Sequence, residues 1–151
     1  MRDRYLYKAK TTSKEKGEFN NVWVTGNLIV SNRRYYIHPI GNIVNVENEI
    51  GKIIVMHEVI PDTICRCTGL KDKNNRLIWE NDIVKDDKGN LYKAFWQDNY
   101  YQFSWICIKS DKLPIGAKWS LWNIKSFEIE VIGSIFDNPE LLESEGQYEC
   151  T

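Results

Sequence analysis

From Val22 to Phe136 the chain is punctuated by turn-forming residues, and between them lie short runs in which apolar and polar residues alternate. Val22–Val30 (VWVTGNLIV) alternates and is rich in β-branched residues. A polar Ser31-Asn32-Arg33 turn follows, then Arg34–Ile37. In Tyr101–Ile108, residues Tyr101, Phe103, Trp105 and Cys107 fall on one face and Gln102 and Ser104 on the other, the pattern of a half-buried strand. Strands spaced roughly 8–12 residues apart with turn signals between them restrict the chain to an all-β sandwich or barrel.

Further runs fill in the order. A weaker pair, Ile43–Val46 and Lys52–Met56, surrounds Asn48-Glu49-Ile50-Gly51, and Pro61-Asp62 marks a corner before Thr63–Thr68. Arg76–Trp79, Asp82–Lys85, Leu91–Trp96 and Glu128–Phe136 complete the strands. Between the second and third of these, Asp86-Asp87-Lys88-Gly89-Asn90 is a hairpin loop in which Gly89 supplies positive φ. This order predicts a mainly β fold built on a small antiparallel, SH3-like barrel. Lys109–Lys125 is broken by Pro114 and Gly116, with a short helical turn expected at Trp119–Asn123. A second turn is expected where Asn138 caps Pro139 and Glu140, docking Leu141 and Leu142.

The length, 151 residues, suits one domain that folds without metal or disulfide. Twenty basic residues against twenty-one acidic ones remove any argument for bulk electrostatic capture of nucleic acid or anionic membrane. The opening MRDRYLYKAKTTSKEKGEF carries no apolar run, and no stretch approaches the ~18 apolar residues of a membrane span. A cytoplasmic protein with no membrane partner is expected, its four cysteines (Cys65, Cys67, Cys107 and Cys150) reduced and free.

Two segments, Thr68–Val84 (TGLKDKNNRLIWENDIV) and Val131–Glu143 (VIGSIFDNPELLE), together resemble the signature of the YopX family, small proteins carried mainly by bacteriophages and prophages. Upstream, Trp23-Val24, Gly26 and Leu28, then Tyr35-Tyr36-Ile37 and Val59-Ile60-Pro61-Asp62-Thr63, are similar to the family's N-terminal half. The resemblance runs from about Arg4 to Glu143. It implies a single YopX-like domain over residues 1–143, with 144–151 a polar, flexible tail, and a phage or prophage origin. Asn75 and Asn81 stand where family members usually carry Gly. Asn is the best non-Gly residue for left-handed backbone, so both turns are expected to persist.

Sites for chemistry are sparse. Cys65 and Cys67 would share a strand face, with His57 or Cys107 near, but C-x-C lacks the spacing of a zinc hairpin and suits two buried small residues. Asp72, Glu80, Asp82, Asp86 and Asp87 do not follow a calcium-loop pattern and read as solvated turn acids. His38 precedes Pro39, and no nucleophile elbow, P-loop or dinucleotide fingerprint is present. No catalytic residue, metal or cofactor is assigned, and an enzyme is not expected.

The remaining feature is a mixture of basic and aromatic residues. Lys71, Lys73, Arg76 and Lys93 accompany Trp79, Tyr92 and Trp96, while Lys8, Lys10, Lys14, Lys16, Arg33 and Arg34 lie near Tyr5, Tyr7, Tyr35 and Tyr36. Small β-folds use such combinations to stack bases and track phosphates. Exposed aromatics equally suit a protein surface. The leading expectation is a non-catalytic binding module for a host or phage protein, or for itself. Lys71, Lys73, Arg76, Trp79, Tyr92 and Lys93 are its candidate residues. A nucleic-acid-binding accessory protein is the alternative, and a metal-dependent enzyme using Cys65, Cys67 and His57 a minor one.

Overall fold

A computed structural model describes residues 5–12, 21–39 and 56–142. The expected Ile43–Val46 and Lys52–Met56 pair (Met56 apart), the tail at 144–151, and Lys14, Lys16 and Cys150 lie outside the described residues. Elsewhere the alternating runs form antiparallel strands, and the chain divides into two units, Met1–Cys67 and Thr68–Thr151.

The first unit holds β1 (Tyr7–Lys10), β2 (Trp23–Ser31), β3 (Arg34–Pro39), β4 (His57–Glu58) and the start of β5 (Cys65–Lys71), in the order β4-β3-β2-β1-β5. The β2–β3 hairpin turns through Asn32 and Arg33, both left-handed (φ 50° and 62°). Two such residues give the turn a twist that matches the flanking strands. Ala9, Ile37 and Val59 are buried on one face, with Tyr7, Val24, Leu28, Tyr35 and Ile64 packed against them. Gly26 lies against β3 so closely that a Cβ there would run into the His38 carbonyl. Strand β1 was not anticipated, although Tyr7 and Ala9 alternate with Lys8 and Lys10.

In the second unit β6 (Leu77–Trp79) hydrogen-bonds to the later part of β5. Five more strands follow: β7 (Asp82–Lys85), β8 (Leu91–Gln97), β9 (Gln102–Lys109), β10 (Lys118–Ser120) and β11 (Glu130–Ser134), ordered β10-β9-β8-β7-β11. One face of this sheet buries Val84, Tyr92, Ala94, Trp105, Cys107 and Val131 in the larger core. The other buries Ile83, Leu91 and Ile108 under Ile135, Leu141 and Leu142. The C-terminal turn therefore docks as anticipated, but as a 3-10 turn, Pro139–Leu141. Asn138 makes no side-chain cap to it. Its amide oxygen instead accepts the Ser134 N–H, against a Gly133 that leaves no room for a Cβ.

The expected barrel is not closed. Among the described residues the second sheet ends on β10 and β11, which are not paired with each other. Strand β10 is three residues long, and its pairing to β9 decides it rather than its own pattern, so it was not legible beforehand. The free edge of β11 is occupied instead by the turn between β5 and β6. There the Lys73 N–H donates to the Ile129 carbonyl at 2.9 Å, and the Val131 N–H donates to Asp72 Oδ2 at 2.9 Å. A covered edge needs no further strand.

Asp72 is thus not a solvated turn acid. It is 4% exposed, and its second oxygen accepts the N–H groups of Asn74 and Arg76, each at 2.9 Å. Burial alone would push its carboxyl up. The three backbone donors and the Arg76 guanidinium outweigh that, and its pKa lies below the usual carboxylate value. Asp82, also buried, receives the Trp79 N–H at 2.8 Å. Asn75 and Asn81 take up φ of 64° and 68°, the left-handed geometry anticipated for both. Asn81 is fixed from both sides, its N–H donating to Ala94 and its carbonyl accepting from Ile135.

Asp72→Asn should cost about 1–3 kcal/mol, because an amide NH2 would face whichever backbone N–H its oxygen does not accept. A carboxyl whose pKa is depressed by folding stabilises above its unfolded value, about 3.9, and that contribution is lost as pH falls through the folded value. Urea unfolding from pH 6 down to pH 2 should show this acid-side loss shrinking, though not vanishing, in the variant. At Asn81, replacement by Ala should destabilise by about 1 kcal/mol while Gly is tolerated.

Candidate functional site

The β7–β8 connection, Asp86–Asn90, is built on one carboxylate. Asp86 Oδ1 accepts the N–H groups of Lys88 and Asn90, both at 2.9 Å. Its Oδ2 accepts the Asn90 amide at 2.7 Å and the Tyr92 hydroxyl at 3.0 Å. Burial would raise this carboxyl, but the Asn90 and Tyr92 donors and the Lys88 N–H hold it below its ordinary value. Tyr92 responds in the opposite sense: burial, and then the Asp86 charge at its hydroxyl, push the phenol up to about 12. Gly89, at φ 84°, closes the turn as expected.

The same network reaches the segment after β9. Ser110 Oγ donates to Asn90 Oδ1 at 2.6 Å and accepts the N–H groups of Lys112 and Leu113. Between the two turns is a cleft of about 290 Å³, with Asn90, Tyr92 and Ser110 in its wall and Lys88, Lys109 and Lys112 around it. Its polar wall groups are bonded to one another, so the cleft is held rigid by the fold. Cys107, a core residue, has its thiol pushed up by burial.

A second feature is the tip of the β8–β9 hairpin. Asp98–Tyr100 forms a 3-10 turn, and Tyr101 is left-handed at φ 50°. Tyr100 is 68% exposed and Tyr101 84%. Behind them Trp96 and Phe103 meet edge to face at 5.0 Å, bracing the end of the hairpin. A bulky residue in the left-handed region is a rare conformation that costs of order 1–3 kcal/mol. Sequence reasoning placed Tyr101 inside the strand. Gln97-Asp98-Asn99 is a polar stretch of turn-forming character, but nothing in it marks the next two tyrosines as exposed.

The residues singled out from the sequence separate by burial. Lys71, Lys73 and Arg76 are exposed on the β5–β6 turn, with Lys73 Nζ 3.1 Å from Glu130 Oε2 and Arg76 beside Asp72. Trp79 and Tyr92 are buried core residues, 8% and 4% exposed. Lys93 is half-buried across from Ile83 in the β7–β8 pair. Lys8 and Lys10 lie over the Trp23 ring at 4.6 and 5.3 Å, so that face of the indole is already covered. Cys65, Cys67 and Cys107 are buried free thiols, as their types suggested. Among the described residues no three His, Cys, Asp or Glu side chains converge where a metal ion could be held, and no helix is long and apolar enough to cross a membrane.

Tyr92→Phe removes one donor from a charged acceptor and should cost about 1.5–3 kcal/mol. It should also raise the Asp86 carboxyl pKa, read by carbon NMR of the carboxyl through an acid titration. An unchanged Asp86 titration would mean that the backbone donors alone depress it.

No curated protein matches the chain. The profile of the family described as YopX protein does, over residues 3–143, and those residues include both signature segments, Thr68–Val84 and Val131–Glu143. The chain belongs to the YopX family.

Proposed function

We propose that this is a phage- or prophage-encoded, cytoplasmic binding module that acts by association with a host or phage protein, through the β8–β9 hairpin tip. The observation that carries the reading is Tyr101. It combines unfavourable backbone geometry with almost complete exposure, so folding alone gives no reason for a tyrosine there. Strained and exposed residues persist where a function needs them. Tyrosine is enriched at interfaces because it offers a large, rigid contact area at little entropic cost.

The tip favours protein over nucleic acid. From Gln97 to Ser104 there is one acidic residue, Asp98, and no basic one, so a phosphate backbone would meet repulsion beside the rings. At the β5–β6 turn, the basic set keeps exposed cations, but Lys73 is engaged by Glu130. A nucleic-acid partner at that turn would bind with a steep salt dependence that Lys71→Gln and Arg76→Gln reduce.

The discriminating variants are Tyr101→Asn and the Tyr100→Ser/Tyr101→Asn pair. Asn tolerates the left-handed region, so Tyr101→Asn should match or exceed the parent in stability by up to about 1 kcal/mol. The paired variant should lose a host protein that the parent retains from nuclease-treated bacterial lysate, and the purified partner should rebind the parent alone. Destabilisation by Tyr101→Asn with undiminished retention would assign the rings to folding and end the proposal. Exchange of the retained protein for a second copy of the chain, seen as a concentration-dependent dimer lost in the paired variant, would assign the tip to self-association.

A further inference from the structure

Beyond the hairpin tip, the cleft beside Asp86 has a charge arrangement that the fold does not explain. Lys88, Lys109 and Lys112 line it, all three exposed. None forms an ion pair among the described residues, where Lys73 and Lys125 do. Two carboxylates also line the cleft. Asp86 is directed into its turn and fully engaged by four donors, and Asp111 lies exposed between Lys109 and Lys112. The lining therefore carries three cations against two acids, one of which is turned away. Gathering three ammonium groups around one concavity costs repulsion that a bound anion would relieve.

An adjacent depression of about 250 Å³ provides the contrast. It shares Asp86, Lys88 and Tyr92, and its other charged lining residues are Asp87, Lys125 and Glu128, of which the last two pair with each other at 3.6 Å. Its lining carries three carboxylates against two lysines, so it holds no excess of positive charge for an anion to neutralise. In the larger cleft the lysines remain unanswered above a wall that Ser110 and Asn90 have already fixed. Rigid walls with mobile cations at the rim suit a compact group of high charge density, which an ammonium meets as a point charge. The volume, about 290 Å³, lies at the lower edge of small-molecule sites.

We propose that this cleft binds a small phosphorylated molecule, its phosphate held by Lys88, Lys109 and Lys112. The site is independent of the hairpin tip and would persist in a chain whose tip variants bind nothing.

The test uses the full chain, labelled with nitrogen-15 and titrated with pyrophosphate at constant ionic strength. The amide resonances of Lys88, Gly89 and Ser110 to Leu113 should shift saturably. The Lys109→Gln/Lys112→Gln variant should bind at least about tenfold more weakly, equivalent to about 1.4 kcal/mol. Lys118→Gln, an exposed change elsewhere on the same unit, should bind like the parent. Thermal melting should show both variants folded, since none of these side chains is buried. Shifts reproduced by sodium chloride, or undiminished in the double variant, would overturn the assignment. So would preference for a short single-stranded oligonucleotide over pyrophosphate, lost on the same substitutions, because the ligand would then be a strand and not a small molecule.

Discussion

The second unit depends on a carboxylate taken out of water. Asp72 accepts three backbone N–H groups, two from its own turn and one from β11, a strand 59 residues further along the chain. Removing an ionised carboxylate from solvent is costly, and the cost is met only because each of its oxygens finds a backbone donor. The consequence is topological. By occupying the outward N–H of β11, Asp72 finishes a sheet edge that would otherwise offer itself to another strand. An open five-stranded sheet is stable here without barrel closure because its end has been answered locally.

This also explains why the family signature consists of two distant segments. Thr68–Val84 supplies Asp72, the left-handed Asn75 and Asn81, and Asp82. The later segment supplies Val131, the Gly133 that leaves space for Asn138, and the apolar Ile135, Leu141 and Leu142. They meet through the Asp72–Val131 and Asn81–Ile135 hydrogen bonds, and the Lys73–Ile129 bond lies two residues before the second segment. Each signature residue named here has a structural duty. A signature of this kind identifies a fold, and the chemistry or partner has to be sought outside it.

Much of the architecture was legible because it rests on local physics. The alternation of β8 and β9, the Asn32-Arg33 and Gly89 turns and the positive φ at Asn75 and Asn81 all follow from what single residues tolerate. What was not legible rests on partners distant in sequence. Asp72 and Asp82 look like ordinary turn acids until β11 and the Trp79 N–H are placed beside them. Strand β10 exists only through β9, and Trp79 and Tyr92 stand among the candidate binding residues although the sheet covers them. For the candidate sites the position was worse. The three lysines of the cleft come from two different turns, and the exposure of Tyr100 and Tyr101 depends on a single backbone dihedral that composition does not reveal.

Carboxylates and tyrosines thus divide the unit between folding and function. Asp72, Asp82 and Asp86 are buried or engaged so fully that changing them disturbs the structure before any ligand could register the loss. Tyr100 and Tyr101 contribute little to the core, and Tyr101 works against its own backbone preference. A residue that opposes folding can be relieved at no structural loss, and this makes its role separable by experiment from that of its neighbours. The cleft has a similar separation within a single constellation. Asp86, Asn90 and Ser110 hold its shape through bonds to each other, while the lysines at its rim form no ion pair among the described residues. Where the internal hydrogen bonding is complete and the surface charge is not, the missing partner of that charge is most simply sought outside the chain.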